Sequence, residues 1–209
     1  MIKGGQAFQI PIINQSSPSP TITPTLQQPR LLDSVEFLDV GGGLQVSKTM
    51  ITVEQYYKVF SYDIPEFTDA HYLNQPMVNV SWNDATTFCT ITGTRLLTPA
   101  EWDRLCDDQV ATQRQGMRAP ELLQYAVFSE SPNNRLQRVA TKKPNKFGLY
   151  DMLGNAWEWC DSANPIQAPS KGGSYFSFAE MCRSTISVDL PKTYRARDLG
   201  FRVCYRSNS

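Results

Sequence analysis

Hydrophobic and polar positions fall into distinct regimes along the chain. Residues 14–29 read NQSSPSPTITPTLQQP, and prolines and hydroxyls at this density favour an extended chain over a core. Residues 1–30 are thus expected to form an arm. It is either a loose tail, or a segment that packs on a neighbouring subunit and so builds a homo-oligomer, or that attaches to a larger particle. From residue 31 to 209 the pattern is that of one folded domain. Val35, Phe37, Leu38 and Val40 predict a strand ending at Gly41-Gly42-Gly43, with a second strand over 44–48. Thr52 reads as a helix N-cap with Gln55 three residues on, followed at helical spacing by Val53, Tyr56, Tyr57 and Phe60. Residues 61–80 lack a period and predict a loop. A second helix starts at Ser81 with Asp84 in the capping-box position, buries Ala85, Phe88 and Cys89, and stops near Gly93. The third has the strongest start: Thr98 as cap, Pro99 at the first helical position and Glu101 completing the box, with Trp102, Leu105 and Cys106 inward.

Residues 107–147 are mostly polar and predict loops, with one short strand near Tyr125–Phe128. The last third is rich in Gly, Trp and Tyr. Phe201, Val203 and Tyr205 alternate with Arg202, Cys204 and Arg206, the pattern of a half-buried antiparallel strand. Few helices, short strands and long loops predict an α+β fold with much irregular structure.

Charge narrows the function classes. Twenty basic and twenty acidic residues cancel, so a broad electrostatic grip on nucleic acid or an anionic membrane is not expected. No apolar run is long enough for a transmembrane helix, and the N-terminus has no apolar signal-peptide core. The expectation is a cytosolic protein or one delivered without a signal, such as a virion component. Five cysteines (Cys89, Cys106, Cys160, Cys182, Cys204) include no C-x-x-C pair. They read first as small buried apolar side chains, and spacing leaves a Cys160–Cys182 bridge open. A single histidine, His71, argues against mononuclear iron and catalytic zinc, and reads as a loop residue.

Four stretches, in order, resemble the formylglycine-generating enzyme family, the sulfatase-modifying-factor domain. They are TRLLTPAEWDRL (94–105), NKFGLYDMLGNAWEW (145–159), KGGSY (171–175), and CRS (182–184) with DLGFRV (198–203). The resemblance runs from about residue 35 to 206. It implies a C-type lectin-like fold with a small, twisted antiparallel sheet, two to three helices and extensive loops. It also implies a structural calcium ion at Asp151, Gly154, Ala156 and Glu158, two carboxylates and two backbone carbonyls around a tight turn. The same residues also suit a plain turn, with Asp151 capping it and Glu158 paired to an arginine. Trp157 and Trp159 would point the same way from a strand and read as core.

The enzymes of this family resemble one another in a pair of cysteines between the GGS and arginine-serine motifs, where soft thiolates hold Cu(I). Here that interval contains only Cys182, directly before Arg183. The copper-dependent oxidase is thus the weaker alternative, and catalytic residues are expected to be none. A structural domain of a phage or bacterial assembly is the other rival.

Non-catalytic members of the family include the variable proteins of diversity-generating retroelements. Their randomised AAY codons become NNY and cannot encode Lys, Gln, Glu, Met or Trp. Segments 176–179 (FSFA), 185–190 (TISVDL) and 193–198 (TYRARD) contain none of those five residues. Glu180, Met181 and Lys192 fall between them. The resemblance therefore implies a hypervariable binding surface at 175–198, displayed on a virion or cell surface toward a protein ligand or cell-surface receptor. Phe176, Phe178, Ile186, Val188, Leu190, Tyr194, Arg195 and Arg197 are the expected ligand contacts, aromatic anchors among adaptable polar neighbours. Segments 185–190 and 193–198 lack a sustained period and are expected to be loops.

Overall fold

The computed structural model describes residues 32–64, 69–106 and 119–207. The expected arm over 1–30 lies outside the described residues. The elements run β1 (Phe37–Asp39), β2 (Leu44–Ser47), α1 (Val53–Phe60), α2 (Ala70–Leu73), α3 (Trp82–Thr92), α4 (Pro99–Leu105), α5 (Ala119–Leu122), β3 (Trp157–Trp159) and β4 (Gln167–Lys171). A 3-10 turn (Ala179–Met181), β5 (Ser187–Pro191), β6 (Leu199–Gly200) and β7 (Cys204–Arg206) follow. Among the described residues no helix is long and apolar enough to cross a membrane.

The three predicted helices start where their side chains cap them. Thr52, Ser81 and Thr98 each accept the backbone N–H three residues on, and Gln55, Asp84 and Glu101 reach back to the cap's own N–H. Each box satisfies two N–H groups that a helix end leaves unpaired. Helix α3 closes on Gly93, which is left-handed at φ 69°. The loop expected over 61–80 contains α2, started by Asp69, whose side chain accepts from the His71 N–H; His71 is therefore helical. One turn of helix is too short to show a period. The strand expected at Tyr125–Phe128 is reduced to a single bridge from Val127 to Gly154. There the Phe128 N–H is taken by Ser131 Oγ at 2.9 Å rather than by a neighbouring strand.

Two small sheets result. One is antiparallel, in the order β1-β2-β7, with Val46 opposite Cys204. The other runs β5-β4-β3-β6, and its β3–β6 pair is parallel, with Glu158 opposite Gly200. The chain between β6 and β7 joins the sheets, and Phe201, Arg202, Val203 and Cys204 are all buried. The half-buried alternation expected there is therefore absent, because Arg202 finds a partner inside. Two apolar clusters fill the interior. One gathers Trp102 and Leu105 of α4 with Phe128 and Leu149; the other packs α1 and α3 against Trp159 and Phe201. In the second, the Tyr56, Phe88 and Phe201 rings lie 5.3–6.3 Å apart.

The sequence therefore folds as expected at the coarse level, into an α+β arrangement of small sheets, few helices and long loops.

Candidate functional site

Two regions of the chain were singled out by sequence, and the structure treats them differently. The turn over 151–158 is internal. Asp151, Gly154 and Asn155 have φ of 56°, 68° and 59°, left-handed values that favour glycine and asparagine. A side chain at Gly154 would run into the Val127 backbone. Asn155 holds the turn by accepting the Gln137 N–H at 3.0 Å. Asp151 accepts the Ala140 N–H at 2.7 Å, and burial pushes its carboxyl up to about 6.

Glu158 is fully buried. Its Oε2 accepts the Trp102 indole N–H and the Arg202 Nε–H, both at 2.8 Å, and its Oε1 accepts from the other end of the guanidinium at 2.7 Å. Arg202 also donates to the carbonyls of Ser47 and Tyr150. Both Glu158 oxygens are thus engaged by an internal cation and an indole. Of the set Asp151, Gly154, Ala156 and Glu158, the Glu158 carboxylate is taken up by Arg202, the arginine pairing that the sequence also allowed. Trp159 is core, as expected, but Trp157 is only half-buried.

The cysteines are interior thiols and form no disulfide. Cys160 and Cys182 belong to the same apolar cluster, both at 0% exposure, and the bridge left open by spacing is not made. Burial pushes the Cys160 thiol well above its ordinary range, and those of Cys89 and Cys204 to about 12. Cys182 sits under Gly173, where an added Cβ would lie 2.8 Å from its Sγ.

The second region is outward. No position of segments 176–179, 185–190 or 193–198 is in the core; each is exposed or half-buried. Buried residues flank them, with Ser174 and Tyr175 before, Cys182 and Ser184 between the first two and Leu199 to Cys204 after, while Glu180, Met181, Arg183, Pro191 and Lys192 are exposed or half-buried. Phe176 and Phe178, which share a strand parity and could have faced the core together, are instead exposed at 43% and 69%.

Segment 185–190 is a correction to the expected loop. Residues Ser187–Pro191 form the edge strand β5, paired with β4 from Lys171↔Ser187 to Gln167↔Pro191. Its short alternation, with Val188 and Leu190 half-buried and Ser187 and Asp189 exposed, is too brief to stand out without the neighbouring strand. Segment 193–198 is irregular, as expected, and pinned at both ends. Tyr194 N–H donates to Pro191 O at 2.8 Å, and Trp157 N–H to Asp198 O at 2.8 Å.

These segments meet. Val188 and Leu190 of β5 and Tyr194, Ala196 and Asp198 of the following loop line one groove of about 240 Å³, floored by Trp157, Ser170 and Leu199. The Arg197 guanidinium lies 4.3 Å over the Phe176 ring, joining the first segment to the third. Ser174 Oγ donates to Asp198 at 2.7 Å and fastens the same two regions beneath. Not every expected contact joins this face. Arg195 turns to Asp84, its guanidinium 2.6 Å from that carboxylate, and to the Asn79 carbonyl. Phe178 and Ile186 do not line the groove. Sequence reasoning missed Trp157 as groove floor and Ile166, which is 70% exposed just before β4. A lone isoleucine in the polar run NPIQ was the available signal for the latter.

An α+β scaffold with two closed cores, carrying a turn-rich outward face on one sheet edge, defines the formylglycine-generating-enzyme type of C-type lectin-like fold. Residues 40–207 match the family described as "Sulfatase-modifying factor enzyme 1-like domain", and the chain belongs to that family. It is 31% identical over 172 residues to the formylglycine-generating enzyme of Bos taurus, covering 66% of this chain and 46% of that protein. The chain thus spans about half the length of that relative. Among solved structures it is similar to Treponema denticola variable protein 1, with TM-score 0.64 and 21% identity over 78% of this chain and 84% of that one. It is also similar to the Major Tropism Determinant U1 variant, with TM-score 0.54 and 14% identity over 81% of this chain and 52% of that one. At these identities the two structures bear on the fold alone.

Proposed function

We propose that this chain is a non-catalytic recognition protein whose face at 176–179, 185–190 and 193–198 binds a protein ligand and is diversified by a retroelement. The observation that carries the reading is the division between those segments and their frame. Every position of the three segments is exposed or half-buried, while Cys182 and Ser184 between the first two are buried and Leu199 to Cys204 run inward after the third. Surface positions accept replacement within about 0.5 kcal/mol, whereas core positions do not. The names of the two similar structures, a variable protein and a tropism determinant, support the same reading. Display on a virion or cell surface toward a receptor follows as part of it.

The oxidase alternative is weaker for a local reason. Cys182, the lone thiol of the interval where the family's enzymes resemble one another in a cysteine pair, is packed in the interior beneath Gly173. A sulfatase-type cysteine peptide incubated with the protein, Cu(I) and oxygen is expected to keep its mass. Conversion that disappears in Cys182→Ser would overturn the non-enzyme assignment.

A direct test randomises the three segments with NNY codons and sorts for folded protein. Most variants are expected to fold and to differ in what they bind. A library that mostly unfolds, or a genome lacking both a nearby reverse transcriptase and an asparagine-rich template repeat, would sink the retroelement reading.

A further inference from the structure

The groove between β5 and the 193–198 loop is apolar on most of its wall, but one charged group opens into it. Asp198 lines the groove with Trp157, Val188, Leu190, Tyr194 and Ala196. Its Oδ2 accepts from Ser174 Oγ at 2.7 Å, and among the described residues its carboxylate makes no ion pair. The cations around it are engaged elsewhere. Arg195 is held by Asp84. Lys192 lies 3.5 Å over the Trp82 ring and donates to the Ser162 carbonyl. Arg197 stacks on Phe176.

Resting on the recognition reading above, we propose that this groove takes the side chain of an arginine or lysine presented by a protein partner. Its aliphatic stem lies against Trp157, Val188 and Leu190, and its cationic head meets Asp198. Three physical points select that chemistry. A volume of about 240 Å³ is room for one long side chain rather than a whole ligand. An anionic tip would face the carboxylate. A wholly apolar tip would strip water from Asp198 and give nothing back. A long basic side chain matches a largely apolar groove with an acid in its wall, since its stem buries while its head stays polar. Ser174 lies outside the variable segments and fixes the carboxylate's direction. Asp198 lies inside them, so the preference for a basic anchor belongs to this variant and changes when position 198 changes.

The test pans a displayed library of random 12-residue peptides on the intact protein and, in parallel, on Asp198→Asn, which keeps an acceptor for Ser174. Matching thermal melts for the two proteins are the fold control. The wild type is expected to enrich Arg- or Lys-containing peptides. Their affinity is expected to fall roughly tenfold or more in the variant, the scale of one charge-assisted hydrogen bond. As a second readout, n-butylguanidinium should shift the Trp157 indole resonance of the wild type more than n-pentanol or pentanoate does, and this preference should vanish in Asp198→Asn. Peptides without a basic residue, released by Leu190→Ala or Tyr194→Ala, would overturn the basic anchor while leaving the recognition surface standing. Enrichment of basic peptides equally by both proteins would also overturn it. No peptide above background on either protein, with no fragment preference, would overturn both.

Discussion

At the scale of single residues, the Glu158–Arg202 pair decides most. Both side chains are 1% exposed, and charges so placed are tolerated only when partnered and hydrogen-bonded. Here Trp102 and the Ser47 and Tyr150 carbonyls complete the set. Glu158→Ala strands a buried guanidinium and is expected to cost about 3–5 kcal/mol in urea unfolding. The double replacement Glu158→Gln with Arg202→Met should recover much of that loss, because neither charge is then left alone. A recovery near zero would mean that the pair acts through its outer hydrogen bonds rather than through charge. The same engagement predicts that millimolar calcium leaves the melting temperature unchanged; a rise with calcium would mean that the ion displaces Arg202 from the carboxylate.

At the scale of elements, the helix starts are local devices and can be removed one at a time. Thr98→Ala should cost about 1 kcal/mol, the usual value of an N-cap. Its partner Glu101 also receives both ends of the Arg95 guanidinium, at 2.6 and 2.7 Å. This hydrogen bonding lowers its carboxyl from 4.5 to about 2. The folded value lies below the unfolded one, so the contribution is full above pH 4.5 and is lost as pH falls through about 2. Melts of wild type and Glu101→Gln should therefore differ most above pH 4.5 and converge toward pH 2. Capping is also why α1, α3 and α4 were legible in the sequence: cap and box lie within four residues of each other. Helices α2 and α5 were not legible, since one turn has no period. Strand β5 was missed because its alternation gains meaning only beside β4. The burial of Arg202 was not legible because its partner lies 44 residues away, a separation no local pattern encodes.

At the scale of the molecule, the outward position of the three segments was legible from which residue types they contain. The shape they make was not. The groove depends on Trp157 from β3 and Ser170 from β4, which no reading of 176–198 alone supplies, and Arg195 left the face for a cap residue 111 positions earlier. The architecture closes by joining its first described strands to its last: β2 pairs with β7, and β3 with β6. A chain cut after residue 198 should lose near-UV circular dichroism, because β6, β7 and the Glu158 partner go together; retention of that signal would show that the two cores close without them. This closure bears on how the protein is made. A ribosome releases residues 37–47 long before 199–206, so the β1–β2 hairpin waits for a partner that emerges only after residues 176–198 have been translated. A frameshift or stop within that stretch therefore leaves an unclosed sheet edge and an unpaired buried acid, an open form that cellular proteases and chaperones discriminate against. Closure of the fold thus depends on a reading frame that survives from residue 176 to the final strand.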